Sequence, residues 1–195
     1  GGIIIGGNSQ NVSILDSVVT GSGVEGIDVS SQDSEVAGNR VEGNGRYGIY
    51  VDSLGANISI HNNEILDNAE GGIASFDPAF SIIDNVITGN GDGVVMNSGG
   101  SGTISGNTVT DNLGIGIRPY GQGVVEGNLV TGNGRAGIEA QGDGPQEIRD
   151  NVVTGNGGLA PEAGDQSGVK VYANHATVTG NTISGNNTDG VYIDG

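Results

Sequence analysis

Valine and isoleucine fall along this chain in three columns that keep step with one another. The first runs Ile14, Val36, Ile60, Ile82, Ile104, Val125, Ile148 and Val178. The second follows five residues behind it, at Val19, Val41, Ile65, Ile87, Val109, Val130, Val153 and Ile183. The third, Ile3, Ile27, Ile49, Ile73, Val94, Ile117, Ile138, Val169 and Val191, always comes directly after a glycine. Polar residues hold phase with these columns. Asn39, Asn63, Asn85, Asn107, Asn128, Asn151 and Asn181 each sit three places after the first column, and each is followed five residues later by a second asparagine, from Asn44 to Asn186. Every column therefore marks one strand position in a repeat of about 22 residues.

That period is too short for a strand-helix-strand unit, which needs roughly 30 residues. No segment sustains a helical period free of glycine. A leucine-rich horseshoe has a similar repeat length but demands a leucine signature that is missing here. Equal phases stack if each repeat is one turn of a solenoid, with neighbouring strands about 4.8 Å apart. Branched side chains suit such stacks, glycine and asparagine suit the corners, and asparagine side chains can form ladders between coils. The pattern predicts an all-β parallel β-helix of about eight coils, roughly 40 Å long at that rise. The reading treats residues 1–195 as a single β-helix domain, either uncapped or part of a longer solenoid, with a loop insertion at 157–167.

Composition agrees and narrows the function. Glycine (40) and asparagine (21) are abundant, while only five tyrosines and two phenylalanines are present, so no ordinary aromatic core can form. A hydrophobic share of 34% is too high for a disordered tract. A net charge of -17 repels nucleic acid and anionic membranes, and no apolar run is long enough to insert in a bilayer. The acidic, cysteine-free make-up points to an extracellular or cell-surface protein.

In the strand after each glycine, residues one and three later are predicted to face inward, and those two and four later outward. The outward columns read Ile4, Asp28, Tyr50, Ala74, Val95, Arg118, Glu139, Lys170, Tyr192, and Gly6, Ser30, Asp52, Phe76, Asn97, Tyr120, Gln141, Tyr172, Asp194. Four of the five tyrosines and the only lysine lie in them. Tyr50, Asp52, Phe76, Arg118, Tyr120, Tyr172 and Tyr192 are thus candidates for binding a polysaccharide, since tyrosine offers a sugar both a flat face and a hydroxyl. Arg118, Glu139 and Lys170 occupy successive coils, where they form either a surface ion-pair ladder or a grip on a carboxylate. If the chain is catalytic, the expected chemistry is proton abstraction beside a uronate carboxylate. Arg118 or Lys170 would neutralise that carboxylate, with Tyr120 or Glu139 as acid or base.

Other chemistries lack their residues. His61 and His175 lie about five coils apart, on the order of 24 Å, too far for a dyad. Zinc spacing, a Ser-His-Asp set and a phosphate loop are all missing, and Gly89-Asn90-Gly91-Asp92 only grazes a calcium-roll repeat. No metal ligand is assigned. Calcium enters only as a possible bridge between an anionic chain and an anionic glycan.

The unit Thr177-Val178-Thr179-Gly180-Asn181-Thr182-Ile183-Ser184-Gly185-Asn186, followed by Gly190-Val191-Tyr192-Ile193, resembles the repeats of the right-handed parallel β-helix superfamily, which includes pectate lyases, polygalacturonases and mannuronan C5-epimerases. The resemblance covers the whole chain and implies right-handed coiling. Gly168-Val169-Lys170-Val171-Tyr172 is more weakly similar to a late coil of the epimerase catalytic module. Epimerases carry Tyr-Gly-Phe-Asp-Pro-His. In Gly114-Ile115-Gly116-Ile117-Arg118-Pro119-Tyr120 the glycine and proline match, but Ile115, Arg118 and Tyr120 stand in place of Tyr, Asp and His. Phe76-Asp77-Pro78-Ala79 keeps Phe-Asp-Pro and lacks the Tyr and His. Neither stretch carries that catalytic set. The resemblance implies a polysaccharide partner. The alternative is a structural solenoid that associates end to end, because Gly2-Ile3-Ile4-Ile5 and Gly190-Val191-Tyr192-Ile193 share one phase.

Overall fold

The computed structural model describes residues 1–7, 9–52, 57–76, 79–97, 100–158 and 166–194. Among them every regular element is a strand, and every strand pairing is parallel. Three sheets run the length of the molecule. Sheet A has nine strands, from Ile3–Ile5 to Val191–Ile193; sheet B has eight, from Ser13–Leu15 to Asn174–Thr179; sheet C has eight, from Val18–Thr20 to Thr182–Ser184. One coil is Asp92–Met96 in sheet A, Ser101–Ser105 in sheet B and Thr108–Thr110 in sheet C. Each strand hydrogen-bonds its counterparts one coil before and after, so the chain forms the solenoid that the repeat predicts.

The three columns of Val and Ile are the core. Ile82 pairs in register with Ile60 and Ile104, Ile87 with Ile65 and Val109, and Ile73 with Ile49 and Val94. Side chains in the middle coils are almost completely buried, with Ile27, Ile49, Ile65, Ile73, Ile82 and Ile87 at 0% exposure. Burying each such side chain is worth about 1.5–3 kcal/mol.

The corners show why asparagine and glycine are so frequent. Each turn between sheets B and C holds one left-handed residue: Asp16, Gly38, Asn62, Asp84, Gly106, Gly127, Asp150 and Gly180, coil by coil. The turn leaving sheet C repeats the device at Gly21, Gly43, Asp67, Gly89, Asp111, Gly132, Gly155 and Gly185. These are the residue types that tolerate positive φ. The ladder asparagines come one residue later and are not themselves left-handed, which corrects the expectation that they supply the corner conformation. Their role is polar. The backbone N–H and Nδ2 of Asn63 both donate to Oδ1 of Asn85 at 3.0 Å, and the pattern repeats from Asn39 to Asn181 and from Asn44 to Asn186. Inside the solenoid these amides satisfy backbone groups that water cannot reach.

Candidate functional site

The outer face of sheet A gathers the candidate residues. Register carries Asp28 onto Tyr50, Tyr50 onto Ala74, Ala74 onto Val95 and Val95 onto Arg118. Glu139, Lys170 and Tyr192 continue the line. Two groups of side chains stand at its ends, with Ala74 and Val95 between them at 0% and 2% exposure.

Aromatic rings and carboxylates form the first group. Tyr47 stacks on Tyr50 at 5.9 Å between ring centroids, and Tyr50 meets Phe76 at 5.8 Å. Tyr47 was not among the sequence candidates. It directly precedes the marker glycine, at a phase the two outward columns leave out. Its ring lies over Gly71 of the next coil, where an added Cβ would come within 3.1 Å of it. The Gly71-Gly72 doublet is the sequence signal of that space. Arg46 sits 5.9 Å from the Tyr47 ring and pairs with Glu25 and Glu70. Asp52 accepts a 2.8 Å hydrogen bond from Ser30 Oγ. Asp28 Oδ1 is buried without a donor. Burial, with Glu25 and Asp52 adding repulsion, raises the Asp28 pKa above the ordinary carboxylate value. Burial also raises the pKa of Tyr47, helped by Glu70 and Asp92, and that of Tyr50, helped by Asp52 and Asp28. Both phenols are therefore hydrogen-bond donors at neutral pH.

The second group is built on Lys170, whose Nζ lies 4.3 Å from the Tyr172 ring centroid and 5.3 Å from that of Tyr192. Glu139 and Lys170 are in register and only 6% and 7% exposed, so the outward phase is not a solvated surface here, contrary to the sequence expectation. Gln141 Nε2 donates to Glu139 Oε1 at 2.6 Å, and Tyr120 bridges to Gln141 in the sheet ladder. The expected Arg118-Glu139-Lys170 ladder does not form as drawn. Sheet pairing between these coils is confined to Ile117 and Ile138, and Arg118 turns back to Asp92 at 3.8 Å. Tyr120, at 40% exposure, lies with its ring over Gly142. Asp77, Pro78 and residues 159–165 of the expected insertion lie outside the described residues. On sheet B, His61 Nε2 is 2.9 Å from Glu35 Oε1, so this histidine is held in a polar pair.

The model of the "right handed beta helix region" matches residues 79–195, well over half of the chain. The chain belongs to the right-handed β-helix family. A second model, "periplasmic copper-binding protein (NosD)", matches residues 2–124 of the same β-helix. Copper favours imidazole and sulfur ligands. That stretch offers His61, which is paired with Glu35, Met96, which is buried in the core, and no cysteine. Among the described residues no group of three His, Cys, Asp or Glu is placed to hold a metal. The residues present do not fit a copper site, and they provide no calcium cluster either.

Solved structures similar to this β-helix include a mutant of the periplasmic alginate epimerase AlgG, with TM-score 0.68, 21% identity, 86% of this chain and 38% of that one covered. The A-module of the Azotobacter vinelandii mannuronan C-5 epimerase AlgE4 has TM-score 0.67 at 17% identity, covering 95% of this chain and 56% of that module. XylC in complex with xylose has TM-score 0.58 at 16% identity, over 73% of this chain and 27% of that one. The chain thus spans between about a quarter and just over half of their lengths, and at these identities the likeness is one of fold. No protein curated for function matches the chain in sequence.

Proposed function

We propose that this β-helix binds an extracellular or periplasmic polysaccharide lengthwise along the outer face of sheet A. One observation carries the reading: six of the seven aromatic residues, Tyr47, Tyr50, Phe76, Tyr120, Tyr172 and Tyr192, lie on or at the edge of this single face, and only Phe80 joins the core. Rings spaced along a solenoid give a linear glycan successive apolar platforms, while the tyrosine hydroxyls, Asp52, Arg118 and Gln141 supply hydrogen bonds. Similarity to proteins named as acting on or complexed with carbohydrates agrees with this reading. The residues where epimerases hold their catalytic Tyr, Asp and His are Ile115, Arg118 and Tyr120, so binding is the activity proposed.

The test is calorimetric titration of neutral glycans, alginate and pectin, with and without calcium, into the wild type and into a Tyr50→Ala, Tyr172→Ala double variant. At least one glycan is expected to bind, with affinity falling tenfold or more in the variant. Binding of none of them by the wild type sinks the proposal and leaves the structural-solenoid alternative.

A further inference from the structure

The corner between sheets A and B holds a niche that sheet A's description leaves out. One inner column of sheet B runs Ile58, Phe80, Gly102, Gly123 and Gln146 in register. Two glycines in succession break an otherwise filled column. The Phe80 ring covers the first, since a Cβ on Gly102 would lie 2.7 Å from it. Gly123 has a φ of +147°, and a Cβ there would come within 2.5 Å of the Gly102 carbonyl oxygen, so this place stays empty. Phe80, Pro119, Tyr120, Gly123, Val124 and Gln146 line the resulting space.

Gln146 gives the niche its chemistry. The residue is 2% exposed, its Nε2 donates to the backbone carbonyl of Gln141 at 2.6 Å, and its Oε1 is buried with no partner. Turning the amide over would set carbonyl against carbonyl, so the acceptor is the atom that faces the gap. The room available to the centre of a water-sized group is about 10 Å³, enough for one hydroxyl or one water. A buried unpaired acceptor of this kind costs about 1–3 kcal/mol until a donor reaches it. Tyr120 and Gln122 at the mouth are both exposed, and Tyr120 bridges to Gln141, whose side chain holds Glu139 on sheet A. A glycan lying along sheet A passes this opening.

We infer that the niche is a specificity subsite for the hydroxymethyl arm of a neutral hexose, which donates its hydroxyl to Gln146 Oε1 while the sugar ring rests at Tyr120. A uronate fails there for a chemical reason. Its carboxylate offers only acceptors, so it would face the Gln146 oxygen without a hydrogen and lose its hydration among Phe80 and Val124. A pentose has no arm to insert. The net charge of -17 works in the same direction, against polyuronates.

This inference rests on the polysaccharide reading, and the test separates the two. Oligomers that differ only at C6 are titrated in the gluco and manno series: the hexan, its C6-oxidised uronan and, for the gluco series, xylan. Wild type is expected to bind a hexan at least tenfold more tightly than the matching uronan or xylan. Gln146→Met should remove that preference by weakening the hexan alone, while Tyr120→Ala should weaken all three. A uronan bound as tightly as its hexan, or an unchanged ratio in Gln146→Met, overturns the inference. If no oligomer binds, the polysaccharide reading fails, and the niche is then judged on the wild type by the Gln146 side-chain amide signal in NMR. A shift with a methyl hexoside but not with a methyl uronoside upholds it; no shift with either overturns it.

Discussion

Asn85 and Asn107 are joined twice: the backbone N–H of Asn85 donates to Asn107 Oδ1 at 2.9 Å, and Asn85 Nδ2 donates to the same oxygen at 3.0 Å. Asn107 Nδ2 in turn reaches the carbonyls of Ile82 and Ser105 at 2.9 and 3.0 Å and Asn128 Oδ1 at 3.0 Å. One amide thus ties together four successive coils, and both of its atoms are consumed. Removing it by Asn107→Ala should orphan several buried groups and cost about 2–5 kcal/mol, at about 1–3 for each group left unpaired. Asn107→Asp keeps the acceptor, loses both donors and buries a charge. It should be more destabilised at pH 7 than at pH 4, a difference readable from urea midpoints at the two pH values.

Alternation of aspartate and glycine at the corners gives a second expectation. Gly106 has a φ of +65°, and a Cβ on it would overlap the Asp84 carboxylate of the preceding coil. Gly127 has a φ of +62° with open space around it. Gly127→Ala should cost about 1 kcal/mol, the strain of a left-handed alanine, and Gly106→Ala should cost more. Asp84→Gly should remove the excess, so the double variant Asp84→Gly, Gly106→Ala should show a favourable coupling in a thermal-unfolding cycle.

Much of this architecture is legible in the sequence because each coil repeats the same constraint. Ile82, Ile60 and Ile104 share a phase in the chain and a register in space. The site is less legible because it depends on departures from the repeat. Tyr47 is found only when Gly71 is seen to make room for its ring. Arg118 leaves its column because its strand is two residues long, so nothing holds its backbone to Glu139. Glu139 and Lys170 carry the outward phase yet are buried, since alternation states which face a side chain takes and not what else covers that face.

Asp28 supplies a pH prediction. Its pKa is raised in the folded state by burial, Glu25 and Asp52, so the native protein holds this proton more tightly than the unfolded chain does. For a raised carboxylate, stability falls as pH climbs from the unfolded value of 3.8 through the folded one, and the penalty is fully present above both. Asp28→Asn is therefore expected to raise the denaturation midpoint at pH 7 and to bring no gain below the unfolded pKa. An equal gain at both pH values would show that ionisation of Asp28 is not the cause.

The core columns give a test that also bears on association. Ile104 lies between Ile82 and Val125 and is 1% exposed, whereas Ile14 pairs in sheet B with Val36 alone and is 7% exposed. Ile104→Ala removes atoms from a site enclosed by coils on both sides, and should cost about 2–5 kcal/mol through lost transfer energy and an unfilled cavity. Ile14→Ala opens a site with a coil on one side only. That coil can relax or fray locally, so less of the loss is felt by global unfolding. In dilute solution Ile14→Ala should be the milder variant. If copies of this chain stack end to end, a neighbour would cover Ile14, and the two costs should converge as protein concentration rises. Denaturant midpoints of both variants at two concentrations, with sedimentation on the same samples, decide the matter. A larger loss at Ile14 than at Ile104 in dilute solution would contradict nearest-neighbour support as the source of stability in this solenoid.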